Sequence, residues 1–191
     1  MRLVLASRNR HKLEELRSLL DPHEVVELRE GIELPPETGD SFAANAVPKA
    51  RAAATATGLP AIADDSGIEA AALDGAPGVR SARFAGEGAS DEANLDKLIR
   101  EVGRGDDRRV AYVCALAYAG GADGAERVFE ARCEGELARE PRGSGGFGYD
   151  PAFLPAEAPD GRTMAELLPD EKGAISHRGG AARALLDWLE R

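Results

Sequence analysis

The chain has 191 residues, 43% of them hydrophobic and 30% charged, the composition of a soluble globular protein large enough to bury its own core. With 24 Lys and Arg against 34 Asp and Glu, the formal net charge is −10, which gives no general footprint for nucleic acid or anionic membranes. An anionic ligand would have to be met by a local cluster of donors or by metal ions.

No stretch approaches the roughly 20 apolar residues of a membrane span, and the apolar start Met1–Ala6 is too short for a secretion signal. Cys114 and Cys133 are not a C-x-x-C pair and fall in strand-like stretches. Reduced, buried thiols and a cytoplasmic location are the expectation.

Arg2–Ala6 reads as a first strand. Lys12–Leu20 follows as a helix, with Leu13, Leu16, Leu19 and Leu20 at helical spacing. Glu24–Leu28 is a second strand and Gly31–Asp40 a loop. The alanine-rich Ser41–Thr57 is helical and stops at Gly58, with Pro48 predicting a kink or two pieces. Pro60–Ala63 reads as a strand that ends at Asp64-Asp65-Ser66-Gly67, and Leu73–Ala89 as a Gly-rich loop.

Ser90 caps a predicted helix through Val102. Arg109–Ala119 is β-like, and 120–124 form a turn. In Val128–Leu137, Phe129, Ala131, Cys133 and Leu137 alternate with charged residues, the period of a half-buried strand, so a hairpin is expected. Glu140–Asp150 is a loop, Thr163–Glu166 has the form of a capping box, and Gly180–Glu190 closes the chain as a helix. The predicted fold class is α/β, a mixed sheet flanked by helices.

Chemistry-bearing residues fall in a few clusters. Ser7-Arg8-Asn9-Arg10-His11-Lys12 joins a strand to a helix, where free backbone N–H groups, the helix dipole, an amide and a cation converge. That is a seat for phosphate, or a capped helix with a solvated basic first turn. Asp64 and Asp65 repel one another unless a cation compensates them, and hard cations such as Mg²⁺ take such oxygens together with substrate phosphates. The alternative is a turn whose acids cap backbone N–H groups. Glu37 would add a third oxygen ligand, or stay a solvated surface acid.

Gly143-Ser144-Gly145-Gly146-Phe147-Gly148 matches G-x-G-x-x-G, but Tyr149-Asp150-Pro151 follows where a dinucleotide site would open a helix. A loop presenting Phe147 and Tyr149 for base stacking, or tucking them into the core, fits better. Lys172, His177 and Arg178 place cations near the last helix, suited to phosphate or to the O6 and N7 of a 6-oxopurine, or simply facing solvent. The sequence has neither a G-x-S-x-G elbow nor a P-loop.

Taken in order, these segments resemble the inosine triphosphate pyrophosphatase family, which includes the bacterial dITP/XTP pyrophosphatases. The likeness runs through Ser7–Lys12, Leu59–Gly67, Gly75–Gly78, Ser81–Arg83, Gly145–Pro151 and Glu171–Arg178. It implies an elongated two-lobed fold within one domain spanning 1–191, with a long mixed β-sheet, a central substrate cleft and a homodimer.

The implied activity is Mg²⁺-dependent hydrolysis of deaminated purine nucleoside triphosphates (ITP, dITP, XTP) to monophosphate and pyrophosphate. Asp65 matches the proton acceptor and metal ligand. Lys12 and Asp64 would assist it, and Asp64 and Glu37 would join the metal. Ser7, Arg8, Asn9, Arg10, His11, Lys12, Ser66, Phe147, Gly148, Tyr149, Asp150, Lys172, His177 and Arg178 match substrate-binding positions. Relatives often carry two adjacent glutamates where this chain has Pro36 and Glu37. A binding protein without turnover, or a phosphatase releasing orthophosphate, are the competing readings.

Overall fold

The computed structural model describes residues 1–103, 106–120, 124–158 and 160–191. Strand β1 (Arg2–Leu5) leads into helix α1 (Arg10–Leu19), and β2 (Glu24–Glu27) pairs parallel to β1. Helix α2 (Phe42–Thr57) precedes β3 (Ala61–Ala70), which is also parallel to β1. Helix α3 (Asp91–Val102) then gives way to β4 (Arg109–Ala119), β5 (Glu126–Leu137) and the short β6 (Phe153–Pro155), which runs antiparallel to β5. Helices α4 (Pro169–Ile175) and α5 (His177–Leu189) close the chain. The strands form one six-stranded sheet in the order β2-β1-β3-β4-β5-β6, mixed as expected.

Local rules account for most boundaries. Ser41 and Ser90 cap α2 and α3 through their side-chain oxygens, and Gly58 ends α2 in the left-handed region at φ 68°. Pro48 lies inside α2, which continues as one helix through Thr57, so the two-piece alternative is not realised. Pro48 has no N–H, so the Ala44 carbonyl loses its helical donor there. Bonds at both ends, from Gly120 N–H to the Ala125 carbonyl and from Leu137 N–H to the Arg108 carbonyl, make β4 and β5 the expected hairpin. The part of the predicted turn at residues 121–123 lies outside the described residues. Strand β6 and helix α4 have no counterpart in the sequence reading.

The chain divides into two compact units. The first comprises residues 1–65, 114–131 and 178–191, and the second 66–113 and 132–177. In the first, Leu3 and Leu5 of β1 meet Leu13, Leu16 and Leu20, with Ile62, Leu116 and Leu185 also buried. Each such leucine contributes about 1.5–3 kcal/mol relative to an exposed one. In the second, Ile68, Leu98, Val102, Val110, Leu137, Phe153 and Met164 form the core. Both thiols are free and buried. Among the described residues, no helix is long and apolar enough to cross a membrane.

The largest departure from expectation is β3. It does not end at Asp64 but continues to Ala70, so the two aspartates lie in mid-strand. Successive strand residues face opposite sides, and the carboxylates therefore do not confront one another.

Gly67 allows the strand to continue. A Cβ there would meet Ser81 Oγ at 2.4 Å and the Gly78 carbonyl oxygen at 2.6 Å. Ser81 Oγ in turn accepts from Ile68 N–H at 2.9 Å. Replacing Gly67 by Ala therefore has to displace backbone. We expect Gly67→Ala to lower stability by about 1–3 kcal/mol in chemical denaturation, the cost of overpacking. An unchanged midpoint would show that the turn at 78–81 yields freely.

Candidate active site

Asp64 organises the first unit. Its side chain is fully buried, and Lys12 Nζ lies 2.5 Å from Oδ1. Arg178 Nε donates to Oδ2 at 2.8 Å, and its Nη2 lies 3.4 Å from Oδ1. The Cys114 thiol donates to Oδ2 at 3.2 Å. Glu15 completes the set by accepting from Arg178 Nη1 at 2.5 Å. Burial alone would raise the Asp64 pKa, but the charges of Arg178 and Lys12 outweigh it and hold the carboxyl well below its ordinary range. Burial, with Asp64 close by, drives the Cys114 thiol well up, so it stays protonated as a donor.

Asp65 faces a different set of partners. Asn45 Nδ2 donates to its Oδ2 at 3.1 Å, and Lys49 Nζ lies 3.5 Å from its Oδ1. The same ammonium donates to Glu37 Oε1 at 2.6 Å. Asn45 Oδ1 also accepts from Gly39 N–H at 2.7 Å, which ties the loop carrying Glu37 to α2. Burial raises the Asp65 pKa, and repulsion from Glu37 adds to this. Lys49, the Asn45 hydrogen bond and Lys12 oppose the rise without cancelling it.

Two carboxylates drawn to one ammonium, with hard oxygen donors and the negative charge of Glu37 felt at Asp65, fit the kind of Mg²⁺ site that uses one or two protein carboxylates plus substrate phosphates. Among the described residues there is no group of three or more His, Cys, Asp or Glu arranged to hold a metal without such help. Asp64, expected as a further ligand, has its oxygens on Lys12 and Arg178.

The Ser7–Lys12 turn is built as a capped helix start. Ser7 Oγ accepts from Asn9 N–H, and Asn9 Oδ1 accepts from Lys12 N–H. Arg8 turns elsewhere, donating to the carbonyls of Leu28, Arg29 and Ile32. It anchors the segment after β2. Arg10 and His11 are exposed. Of the six, Lys12 is the one whose side chain reaches the carboxylates.

The second unit gathers the other expected residues. Asp150 is buried and holds Lys172 Nζ at 2.6 Å and Phe147 N–H at 2.9 Å on Oδ2. The Lys172 ammonium lies 5.2 Å from the centre of the Phe147 ring. The Gly148 amide is held by Asp91, and the Tyr149 hydroxyl donates to the Ser81 carbonyl. Tyr149 is therefore a packed loop anchor, whereas Phe147 remains half-buried. Ser66 is half-buried at the point where β3 enters this unit.

His177 is buried in the first turn of α5 and stacks on Tyr112, ring centres 4.6 Å apart. Helix α5 begins at His177 rather than at Gly180, so His177 and Arg178 belong to the helix instead of preceding it.

Lys49, Asn45, Glu15 and Tyr112 went unnoticed in the sequence. Asn45 and Lys49 did leave a signal. They are four apart on the stripe formed by Phe42, Ala46, Ala50 and Ala53, where an apolar residue belongs.

Because Arg178 is 2% exposed and compensates a buried carboxylate, its removal strands a charge. We expect Arg178→Ala to cost about 3–5 kcal/mol in denaturant unfolding, the usual penalty for breaking a buried pair from one side. A loss below 1 kcal/mol would mean that Lys12 and Cys114 suffice to hold Asp64.

Comparison with known proteins supplies a context for both clusters. The profile of the Ham1 family matches residues 3–188. The dITP/XTP pyrophosphatase of Mycolicibacterium paratuberculosis is 49% identical over 98% of this chain and 95% of that protein. That of Streptomyces coelicolor is 48% identical over 97% and 95%. The structure of a HAM1 protein from Coxiella burnetii superposes with a TM-score of 0.88 at 43% identity, covering 100% of this chain and 98% of that one. The motifs, the mixed sheet and these full-length identities agree, and the chain belongs to the Ham1 family.

Proposed function

We propose that the protein hydrolyses deaminated purine nucleoside triphosphates (ITP, dITP, XTP) to the monophosphate and pyrophosphate, with Mg²⁺ held by Asp65 and Glu37. The names borne by its relatives support the substrate class. The single observation that carries the chemistry is Asp65. It is a mostly buried carboxylate with a raised pKa, next to a second carboxylate and a lysine. Without metal the Asp65 pKa is raised toward the range where a base is most effective, and a cation bound beside it would lower it again.

Asp65 takes a proton from the attacking water as oxygen adds to the α-phosphorus. The bond from that phosphorus to the bridging oxygen breaks, and pyrophosphate leaves. Lys12 and Lys49 are preorganised cations for the charge that develops on the phosphate oxygens. Mg²⁺ held there would supply further positive charge to the triphosphate.

In the second unit, Phe147 offers a ring face to the base. Lys172 and His177 provide donors for O6 and N7 of a 6-oxopurine, where adenine would present a 6-amino group instead. Arg178 serves mainly to set Asp64. The same reading takes the protein to the cytoplasm, where Cys114 and Cys133 stay reduced, and to a homodimer, on the family resemblance.

Product analysis with ITP, XTP and dITP against ATP and GTP tests this. Pyrophosphate is the expected product, orthophosphate would replace the reading by a phosphatase, and no turnover would leave a binding protein. Asp65→Asn should lower kcat by about 10² to 10⁴. More than a tenth of wild-type kcat would remove Asp65 from the role.

The same variant should be at least as stable as wild type at neutral pH without metal. A carboxyl whose pKa rises on folding destabilises the fold progressively as pH climbs from its unfolded value through its folded one. The difference from the asparagine variant therefore closes on acidification. Glu37→Gln should raise the Mg²⁺ concentration for half-maximal rate, and an unmoved titration would take Glu37 out of the metal site.

A further inference from the structure

Within the second unit, one residue touches much of the machinery assigned above to the base without being assigned a role itself. Tyr112 lies in β4 and is 6% exposed. Its ring is stacked between Phe153, centres 4.3 Å apart at 23°, and His177, 4.6 Å apart at 17°. Its hydroxyl donates to Asp150 Oδ1 at 3.0 Å. The other oxygen of Asp150 is the one that holds Lys172 Nζ and the Phe147 amide.

The loop is shaped around that carboxylate. At Gly146, φ is +68° and a Cβ would fall 2.0 Å from Asp150 Oδ2, so only glycine lets the backbone close there. Packing does not require the hydroxyl, because phenylalanine would fill the same space and stack on the same two rings. A buried phenol that finds a carboxylate fixes the orientation of that carboxylate. Asp150 is itself 3% exposed, and its orientation decides where the Lys172 ammonium and the Phe147 ring stand.

We propose that Tyr112 is a positioning residue for base selection: its hydroxyl sets Asp150, and through it Lys172 and Phe147, while its ring sets the plane of the His177 imidazole. The inference rests on the base-side roles proposed above for Phe147, Lys172 and His177. Tyr112 does not meet the substrate.

Tyr112→Phe keeps the ring and removes the hydrogen bond. Steady-state kinetics with ITP and ATP should show KM for ITP rising roughly tenfold with kcat within about twofold, because base contacts act on binding rather than on the reacting phosphorus. ATP lacks the 6-oxo acceptor, so the ITP-over-ATP ratio of kcat/KM should fall by a similar factor. Tyr112→Leu, which also loses the stack on His177, should lower the ratio further. In parallel, amide hydrogen exchange at Phe147 should quicken in Tyr112→Phe, since its acceptor is no longer held.

A purely structural tyrosine would lower kcat/KM for both nucleotides alike and leave the ratio unmoved, and that result overturns the proposal. So does an unchanged KM for ITP. If the wild-type protein releases no pyrophosphate from ITP, the functional reading fails by itself. The exchange rate at Phe147 then decides the positioning role, an unchanged rate refuting it and a faster one upholding it.

Discussion

The first unit depends on one buried negative charge. Asp64 has no exposed side-chain surface, and a carboxylate so placed survives only where cations and donors replace the water it has lost. Lys12 from α1, Arg178 from α5 and the Cys114 thiol from β4 do so. The pairing works in both directions. Asp64 gives the Lys12 ammonium a fixed position at the mouth of the α1 turn, and it gives an almost fully buried guanidinium a counter-charge. Leu3, Leu5, Ile62 and Leu185 belong to the apolar core of the same unit, which also includes Cys114.

Along β3 the alternation of the strand gives two adjacent aspartates two different environments. Asp64 is neutralised and kept ionised, and Asp65 is left with its pKa raised beside Glu37 and Lys49. One carboxylate is thus tied to two cations, and its neighbour keeps a raised pKa among Asn45, Lys49 and Glu37. The geometry also answers the substitution that puts Pro36 before Glu37. The remaining glutamate is not loose, since Lys49 holds its carboxylate and Asn45 holds the backbone two residues on, at Gly39.

Much of the fold was legible, for local reasons. Leu13, Leu16 and Leu20 announce α1 by spacing, Ser90 announces α3 by its hydroxyl, and Phe129 to Leu137 announce β5 by alternation. What failed was decided by distant partners. Read locally, Asp-Asp-Ser-Gly is a turn, and it becomes mid-strand because Lys12 and Arg178, far away in sequence, neutralise the first acid and Ser81 meets the strand at Gly67. The candidate residues were found in motifs, but their division of labour was not. In the folded chain Arg8 also anchors carbonyls, Tyr149 a loop, and Arg178 compensates an acid, contacts that no local motif announces. Lys49 escaped because a lysine in an alanine-rich helix reads as solvent-facing until the helix is seen from its buried side.

The ion pair between Asp64 and Arg178 spans 114 positions of sequence. A ribosome adding roughly 5–20 residues per second delivers the arginine about 6–23 s after the aspartate. During that interval the nascent chain already has β1, α1 and β3 but lacks one of the two cations that make Asp64 tolerable indoors. The full set of partners for Asp64 is therefore assembled only when the last helix, α5, has been made. A chain ending before residue 178 would leave Asp64 with Lys12 as its remaining cation of the pair.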